Sequence, residues 1–205
     1  MKKNILVLMT IIGFVATATA QRKGNVEFGL NAGLNSSFIS DSWGSSDVRT
    51  GFNAGAAADF YFSDSWSLKI KGIYDRKGWN NDRIVVDGTT YRANFAVDYV
   101  TIPVMANWHF GNTKNWYVNF GPYVGFLVNA EETAFNSDVK DMFNSTDAGL
   151  ALGLGVKIPL SNYAKLFIEY DVQSGFTEIF KQDFNNGDNS TSTRGALNIG
   201  INFML

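Results

Sequence analysis

Residues 147–160, with the sequence DAGLALGLGVKIPL, alternate in polarity from one residue to the next. Aliphatic residues occupy every even position, whereas the odd positions carry mainly glycine and polar residues. Neighbouring side chains of a β-strand point to opposite faces, whereas a helix repeats every three or four residues, so this period predicts a strand. At about 3.3 Å per residue and a tilt of about 40°, the strand rises about 33 Å, more than the roughly 25 Å apolar band of an outer-membrane barrel.

Seven further segments alternate in the same way and are predicted as strands. They are Asn25–Asn35, Thr50–Phe62, Trp66–Trp79, Asn94–Phe110, Trp116–Val128, Lys165–Phe176 and Gly195–Leu205. The long polar segments between them are Ser36–Arg49, Asn80–Ala93, Asn129–Ser145 and Glu178–Arg194. These alternate with short turns, as do the extracellular loops and periplasmic turns of membrane barrels. The sequence therefore predicts an all-β fold: an eight-stranded antiparallel up-and-down transmembrane barrel with short periplasmic turns and long extracellular loops.

The fourth predicted strand changes parity along its length. Phe95, Val97 and Tyr99 share one parity, whereas the apolar residues from Ile102 onward share the other. If all of them face outward, the strand needs one extra residue, which a β-bulge supplies. A proline is tolerated best at such a bulge. We therefore predict a bulge near Val100–Pro103.

The first twenty residues have the pattern of an export signal. Lys2 and Lys3 precede the apolar stretch Ile5–Ala16, which is too short to cross a bilayer as a helix. Ala18 and Ala20 then give the small-x-small pattern at which signal peptidase cleaves. We therefore expect cleavage after Ala20.

The predicted outer-membrane domain comprises residues 21–205, after a cleaved signal peptide of residues 1–20. The chain has 17 basic and 19 acidic residues, so removal of Lys2 and Lys3 leaves a net charge of −4 (15 − 19), which argues against nucleic acid as a partner. The lack of cysteine excludes disulfides, thiolate zinc sites and cysteine nucleophiles. After the signal, no run of eighteen apolar residues is long enough for a membrane helix.

A secreted lipocalin also has eight alternating strands, but its apolar face points inward to a ligand cavity. The positions of the aromatic residues favour the membrane, because barrels carry aromatic girdles at both interfaces. The residues expected in the periplasmic girdle are Phe60, Trp66, Trp108, Phe110, Trp116 and Phe203. Those expected near the long loops are Phe52, Tyr74, Trp79, Phe95, Phe126 and Phe176.

Three segments resemble one barrel family. Asp98–Val104 (DYVTIPV) resembles the Tyr-x-x-Ile-Pro strand of PorT-like outer-membrane proteins, and Gly121–Gly125 (GPYVG) is similar to the segment one strand later. Trp66–Gly78 is similar to the preceding strand, although Trp66 stands where phenylalanine is more usual. The resemblance implies an eight-stranded outer-membrane barrel. Most members have no assigned biochemical activity, and the family takes its name from a secretion-system component.

The sequence offers little catalytic or metal-binding chemistry. His109 is the only histidine, and its parity places it inside the barrel at the periplasmic rim. It could serve as a catalytic base or, as we expect, be a rim residue bonded to a lumen carboxylate or to water. No second histidine exists to build a metal site with it. We therefore predict no catalytic residues, no metal and no cofactor.

Charged residues at inward positions form a balanced set. The acidic members are Glu27, Asp59, Glu169 and Asp171, and the basic members are Lys69, Lys71, Lys157 and Lys165. An eight-stranded barrel is only wide enough for side chains to fill it. We therefore expect a network of ion pairs that plugs the lumen.

Apolar residues also occur in the predicted loops. They are Phe135, Met142, Phe143, Ile179, Phe180 and Phe184. Apolar residues that face water can form a binding patch, here for an envelope protein or a surface glycan. Alternatively, the loops fold on one another or dip to the lipid headgroups.

These observations predict a non-enzymatic integral protein of the outer membrane, with a structural or interaction role through its extracellular loops and no open pore. Outer-membrane lipid is then its first partner. The alternatives are a subunit of a secretion or envelope-assembly system, a secreted ligand-binding barrel and, last, a barrel enzyme.

Overall fold

The structure is a computed structural model that describes residues 24–41, 44–86, 88–181 and 189–205. Its long strands are β1 (Val26–Asp41), β2 (Asp47–Tyr61), β3 (Trp66–Val86), β4 (Thr89–Phe110), β5 (Trp116–Glu132), β6 (Thr146–Pro159), β7 (Ala164–Gly175) and β8 (Thr191–Met204). Two-residue strands at Gly44–Ser45 and Ser137–Asp138 and a short 3-10 helix at Lys140–Met142 lie in the connections. The predicted cleavage residues Ala18 and Ala20 lie outside the described residues, as does Phe184.

Each long strand pairs antiparallel with the next, and β8 pairs with β1 to close the ring. The closing register joins Leu30 to Ile201 and Leu34 to Leu197. The predicted eight-stranded up-and-down barrel is therefore confirmed. Among the described residues, no helix is long and apolar enough to cross a bilayer.

The two faces of the wall differ in chemistry. On β6, Leu150, Leu152 and Leu154 are all at least half exposed on the outside, whereas Ala151 between them is buried. The inward glycine at position 155 makes room for a larger neighbour, because a Cβ there would lie 2.4 Å from the Tyr117 hydroxyl oxygen. The outer wall is thus apolar, and side chains of neighbouring strands fill the interior.

The predicted parity change in β4 does not occur. Phe95, Val97 and Tyr99 are buried inside the barrel, and β4 keeps one register with β3 from Trp108 to Phe95. The register irregularity lies between Asp98 and Tyr99 in the pairing of β4 with β5, and the extra residue is on β5. The prediction failed because it placed every apolar residue of the strand against lipid, whereas these three pack inside.

The segment Asn80–Ala93 is not the long polar loop that the sequence predicts. β3 and β4 continue as a hairpin that turns next to Gly88, after a register irregularity between Trp79 and Asp82. Gly88 has φ = +77°, a conformation that glycine adopts without a steric penalty. Strand pairing here satisfies the backbone hydrogen bonds, although the polar composition of the segment is typical of a loop.

We predict that Leu152→Arg lowers the yield of folded, heat-modifiable barrel in lipid bilayers. Leu152 is 57% exposed on the outer wall, and arginine at a lipid-facing midplane position costs about 2–4 kcal/mol. Leu152→Phe is the matched control and should fold as well as the wild type. Folding of Leu152→Arg at the wild-type level in bilayers would contradict contact with lipid.

Candidate functional site

The most distinctive site in the molecule is its filled interior, which begins with an ion-pair layer at the end with the short turns, the predicted periplasmic end. Lys157 Nζ lies 2.6 Å from Glu27 Oε1 and donates a hydrogen bond of 2.8 Å to the Tyr61 hydroxyl. Lys165 Nζ lies 3.7 Å from Glu27 Oε2, and the Asn202 amide donates to the same carboxylate. Lys165 is the most exposed of these groups, so the layer closes the barrel just above the periplasmic rim.

A second layer lies around Asp59 and Glu169. Asp59 Oδ2 lies 3.6 Å from Lys157 Nζ and 4.0 Å from Lys69 Nζ. Glu169 pairs with Lys69 at 3.5 Å and with Lys71, which also lies 3.7 Å from Asp171 Oδ2. The structure thus brings all eight residues of the predicted lumen set together as alternating charges.

Arg194 forms the centre of a third layer that the sequence did not predict. Its guanidinium is fully buried and pairs with Asp171 and with Asp75, whose Oδ1 lies 2.9 Å from Nη2 and 3.0 Å from Nε. The Asn35 amide donates to Asp75 Oδ1 at 2.9 Å. The polar residues at the start of β8 predict a loop at Arg194, and no local signal distinguishes an inward polar residue at a strand end from a loop residue.

Lys77 and Asp147 form the uppermost ion pair, at 3.3 Å. The Tyr123 hydroxyl donates to Asp147 at 3.1 Å, and the Lys77 ammonium lies 5.3 Å from the ring centres of Tyr99 and Tyr123. Cation–π contacts of this kind offset part of the desolvation of the lysine. Polar groups therefore fill the lumen up to the end that carries the long connections.

An apolar cap covers this end of the barrel. Phe143 and Ile179, from the two longest connections, are buried against Trp79, Phe95 and other residues that include Ile39, Val97, Met142 and Phe180. The Phe143 ring centre lies 5.9 Å from that of Trp79 and 5.1 Å from that of Phe180. A cavity of about 10 Å³, room for one water molecule, lies beneath the cap beside Lys77.

The predicted loop-binding patch is therefore mostly wrong. Phe143 and Ile179 are buried, and Met142 and Phe180 pack against them, because the loops cover their apolar side chains by folding on one another. Phe135 alone of the described members is exposed, with its ring centre 5.0 Å from that of Tyr91.

The predicted periplasmic girdle lies on the outer wall. Phe60, Trp66, Trp108, Trp116 and Phe203 are exposed there, and Phe110 is partly buried beside Trp108 at a ring distance of 5.0 Å. Trp79 and Phe95 do not belong to the second girdle, since they lie inside the cap.

His109 is enclosed within the periplasmic half of the lumen. Its Nε2 lies 3.1 Å from the Ser67 hydroxyl and 3.1 Å from the Asn107 amide, and its ring packs between Tyr61 and Tyr117. Both Ser67 and His109 have no exposed surface, so a substrate has no access to this serine–histidine contact. Among the described residues, no group of three histidine or acidic side chains is placed to hold a metal ion.

An apolar outer wall around a charged, filled interior defines a membrane-spanning β-barrel. A family model for the outer membrane protein beta-barrel domain matches residues 19–181, and the chain belongs to this family. The protein is therefore a barrel of the cell outer membrane. No curated protein matches the sequence.

Solved structures show the same fold. OprG of Pseudomonas aeruginosa is 14% identical over 91% of this chain and 99% of its own, with a TM-score of 0.53. Neisserial surface protein A is 18% identical over 86% and 96%, with a TM-score of 0.52. A major outer membrane protein of Thermus thermophilus is 13% identical over 88% and 99%, with a TM-score of 0.51. At these identities the likeness concerns the fold alone.

We predict that Arg194→Met destabilises the barrel by about 3–5 kcal/mol, because it leaves Asp75 and Asp171 as buried charges without their shared partner. Denaturant unfolding in lipid vesicles, followed by tryptophan fluorescence, measures this. Lys165→Gln is the control and should cost about 1 kcal/mol or less, since Lys165 is partly exposed and Glu27 keeps Lys157.

The triple change of Arg194→Met with Asp75→Asn and Asp171→Asn should recover most of the lost stability. Removing both carboxylates with the arginine removes the uncompensated charge. If the single variant Arg194→Met is as stable as the wild type, the ion-pair layer around Arg194 contributes little to the stability of the barrel.

Proposed function

We propose that this protein is a non-enzymatic, non-conducting outer-membrane barrel whose extracellular surface carries its interactions. The observation that supports this most strongly is the filling of the lumen by stacked ion-pair layers beneath an apolar cap. A water-filled path would have to pass each layer, and every displaced charge would lose a partner in a poorly solvated interior. The enclosed His109 supports the absence of an enzymatic role.

The extracellular surface offers one preorganised candidate for an interaction. The buried carboxylate of Glu132 accepts hydrogen bonds from the backbone amides of Ala134 and Phe135, at 2.7 and 2.8 Å. This fixes the turn that presents the exposed Phe135 ring against Tyr91 on the β3–β4 hairpin. Rigid exposed aromatic side chains are typical anchors of protein interfaces.

We further propose membership of the PorT-like subgroup, which would make a secretion or envelope-assembly role the second candidate. Its two most specific motifs lie side by side, with Pro103 of β4 the register partner of Tyr123 of β5. Gly121 is required there, because a Cβ would lie 2.1 Å from the Val104 carbonyl oxygen. Loss of envelope partners from Tyr91→Ala/Phe135→Ala in pull-down experiments would favour the assembly role.

We predict that the purified wild-type protein gives no steady, ion-selective current in planar bilayers. The cap variant Phe143→Ala/Ile179→Ala should stay closed as well, because the ion-pair layers below it remain. A water-filled porin in the same bilayer serves as the positive control. A steady wild-type current would contradict the plugged lumen.

A labelling experiment tests the orientation of the barrel. The sequence contains no cysteine, so single cysteines can be placed at Ser137 in the β5–β6 connection and at Asn112 in the β4–β5 turn, both exposed. We predict that Ser137→Cys reacts with an impermeant maleimide on whole cells, whereas Asn112→Cys reacts only after the membrane is opened. The reverse pattern would invert the proposed orientation.

A further inference from the structure

A charged cluster interrupts the apolar outer wall near the extracellular end. Arg76 on β3 and Asp98 on β4 are register partners, with Arg76 Nε 3.6 Å from Asp98 Oδ1. The Tyr74 hydroxyl donates to Asp98 Oδ2 at 2.7 Å. Tyr74, Arg76 and Asp98 have the parity of the outward residues Trp66 and Trp108, so this cluster lies on the membrane side of the wall and not in the lumen.

The same register fixes the height of this cluster. Trp66 and Trp108 are register partners in the periplasmic girdle, ten residues along each strand from Arg76 and Asp98 (66 to 76 and 98 to 108). At about 3.3 Å per residue and about 40° tilt, ten residues rise about 25 Å. This equals the height of the apolar band, about 25 Å, so Arg76 lies where the headgroups of the opposite leaflet begin.

A second arginine joins the cluster from β2. The pairing of β2 with β3 is irregular between Val48 and Asn53, and there the Arg49 side chain runs over Gly78. A Cβ on Gly78 would lie 2.9 Å from Arg49 Cδ, so the glycine leaves the space that this arginine uses. Gly78 lies two residues from Arg76 and shares its outward parity, so the Arg49 side chain lies beside Arg76 on the outer wall.

The donors of these two arginines are incompletely used. Arg49 Nη1 donates to Asn80 Oδ1 at a long 3.5 Å. The Nε atoms of Arg49 and Arg76 have no hydrogen-bond acceptor among the residues that the structure describes, but they are shielded from solvent. A ligand therefore meets the outer ends of the guanidinium groups, and the Arg76 side chain is 37% exposed. Asp98 is the carboxylate that pairs with Arg76, whereas Glu131, further along β5, accepts from Asn129 at 3.0 Å.

We propose that Arg49 and Arg76 together bind a phosphate group of an outer-leaflet glycolipid on the membrane side of the barrel. Guanidinium groups present paired donors that match phosphate oxygens, and the two arginines carry one positive charge more than Asp98 balances. Because the cluster lies at the level of the headgroups, its ligand is a lipid headgroup and not a molecule in the extracellular medium. The inference deepens the proposed function, because it assumes that this end of the barrel is extracellular.

The test measures binding of bisphosphorylated lipid A to the folded full-length protein in detergent micelles, by native mass spectrometry. Arg49→Gln/Arg76→Gln should bind at least about tenfold more weakly than the wild type, as expected for the loss of charge-assisted hydrogen bonds. Arg92→Gln/Lys181→Gln is the matched control, since it removes the same charge from two exposed residues, Arg92 on β4 near the tip of the β3–β4 hairpin and Lys181 in the β7–β8 connection. It should bind as the wild type does.

Three further arms identify what the arginines recognise. Dephosphorylated lipid A should bind wild type and double variant equally weakly, and Asp98→Asn should bind the phosphorylated form more tightly, because phosphate no longer competes with the carboxylate. Inorganic phosphate that displaces lipid A from the wild type would support the phosphate site and make the free anion a second source. Equal binding of both lipids by the wild type, or unchanged binding by the double variant, would overturn the proposal.

Heat-modifiability on gels shows whether each variant is folded, and the single variant Arg76→Gln remains available if the double variant is not. Binding in micelles does not depend on the orientation of the barrel. A failure of the phosphate site is therefore distinguishable from a failure of the topology experiment.

Discussion

The structure depends on pairing charges across a lumen that has little room for water. Lys69 and Glu169, and Arg194 and Asp75, come from strands on different sides of the ring, so each pair forms only when the barrel closes. A buried ion pair is weak evidence for stability, because desolvation offsets much of its attraction. Its stronger effect is on specificity: a register slip of one residue would turn the inward charges of the slipped strand toward lipid and leave their partners unpaired. Charge pairing thus selects one closed barrel among alternative registers.

The same constraint explains the division of the interior into a polar body and an apolar cap. Below the cap, each charged layer needs partners from several strands, and inward glycines on β6 leave room for Asn119 and Tyr117. Near the extracellular end, the connections can reach over the opening and supply Phe143 and Ile179. Apolar residues on β3 and β4 then face inward, because cover from loops replaces cover from lipid.

Most of the fold could be predicted from the sequence, because lipid on one side and a filled lumen on the other impose a strict period of two. The eight lumen charges followed from that period. The prediction failed where the outside and inside are both apolar, as for Phe95, Val97 and Tyr99. It failed also where both are polar, as at Arg194 and in the β3–β4 hairpin. Parity carries information only when the two faces of a strand differ in polarity. At these strand ends, only the strand pairing in the structure shows which residues face inward.

The same limit explains why the sequence does not predict the arginine cluster on the outer wall. The polar segment 36–49 predicts a loop at Arg49, and Arg76 carries no distinguishing signal in the sequence, because a charge on the outward face breaks the pattern that identifies that face. An outward charge is strongly destabilising within the apolar band but not at its edge, where the free-energy cost of arginine falls to about 0–1 kcal/mol. The headgroup level is therefore where a barrel can place charge on its membrane side. A surface built there can recognise lipid without opening the lumen that the ion pairs hold closed.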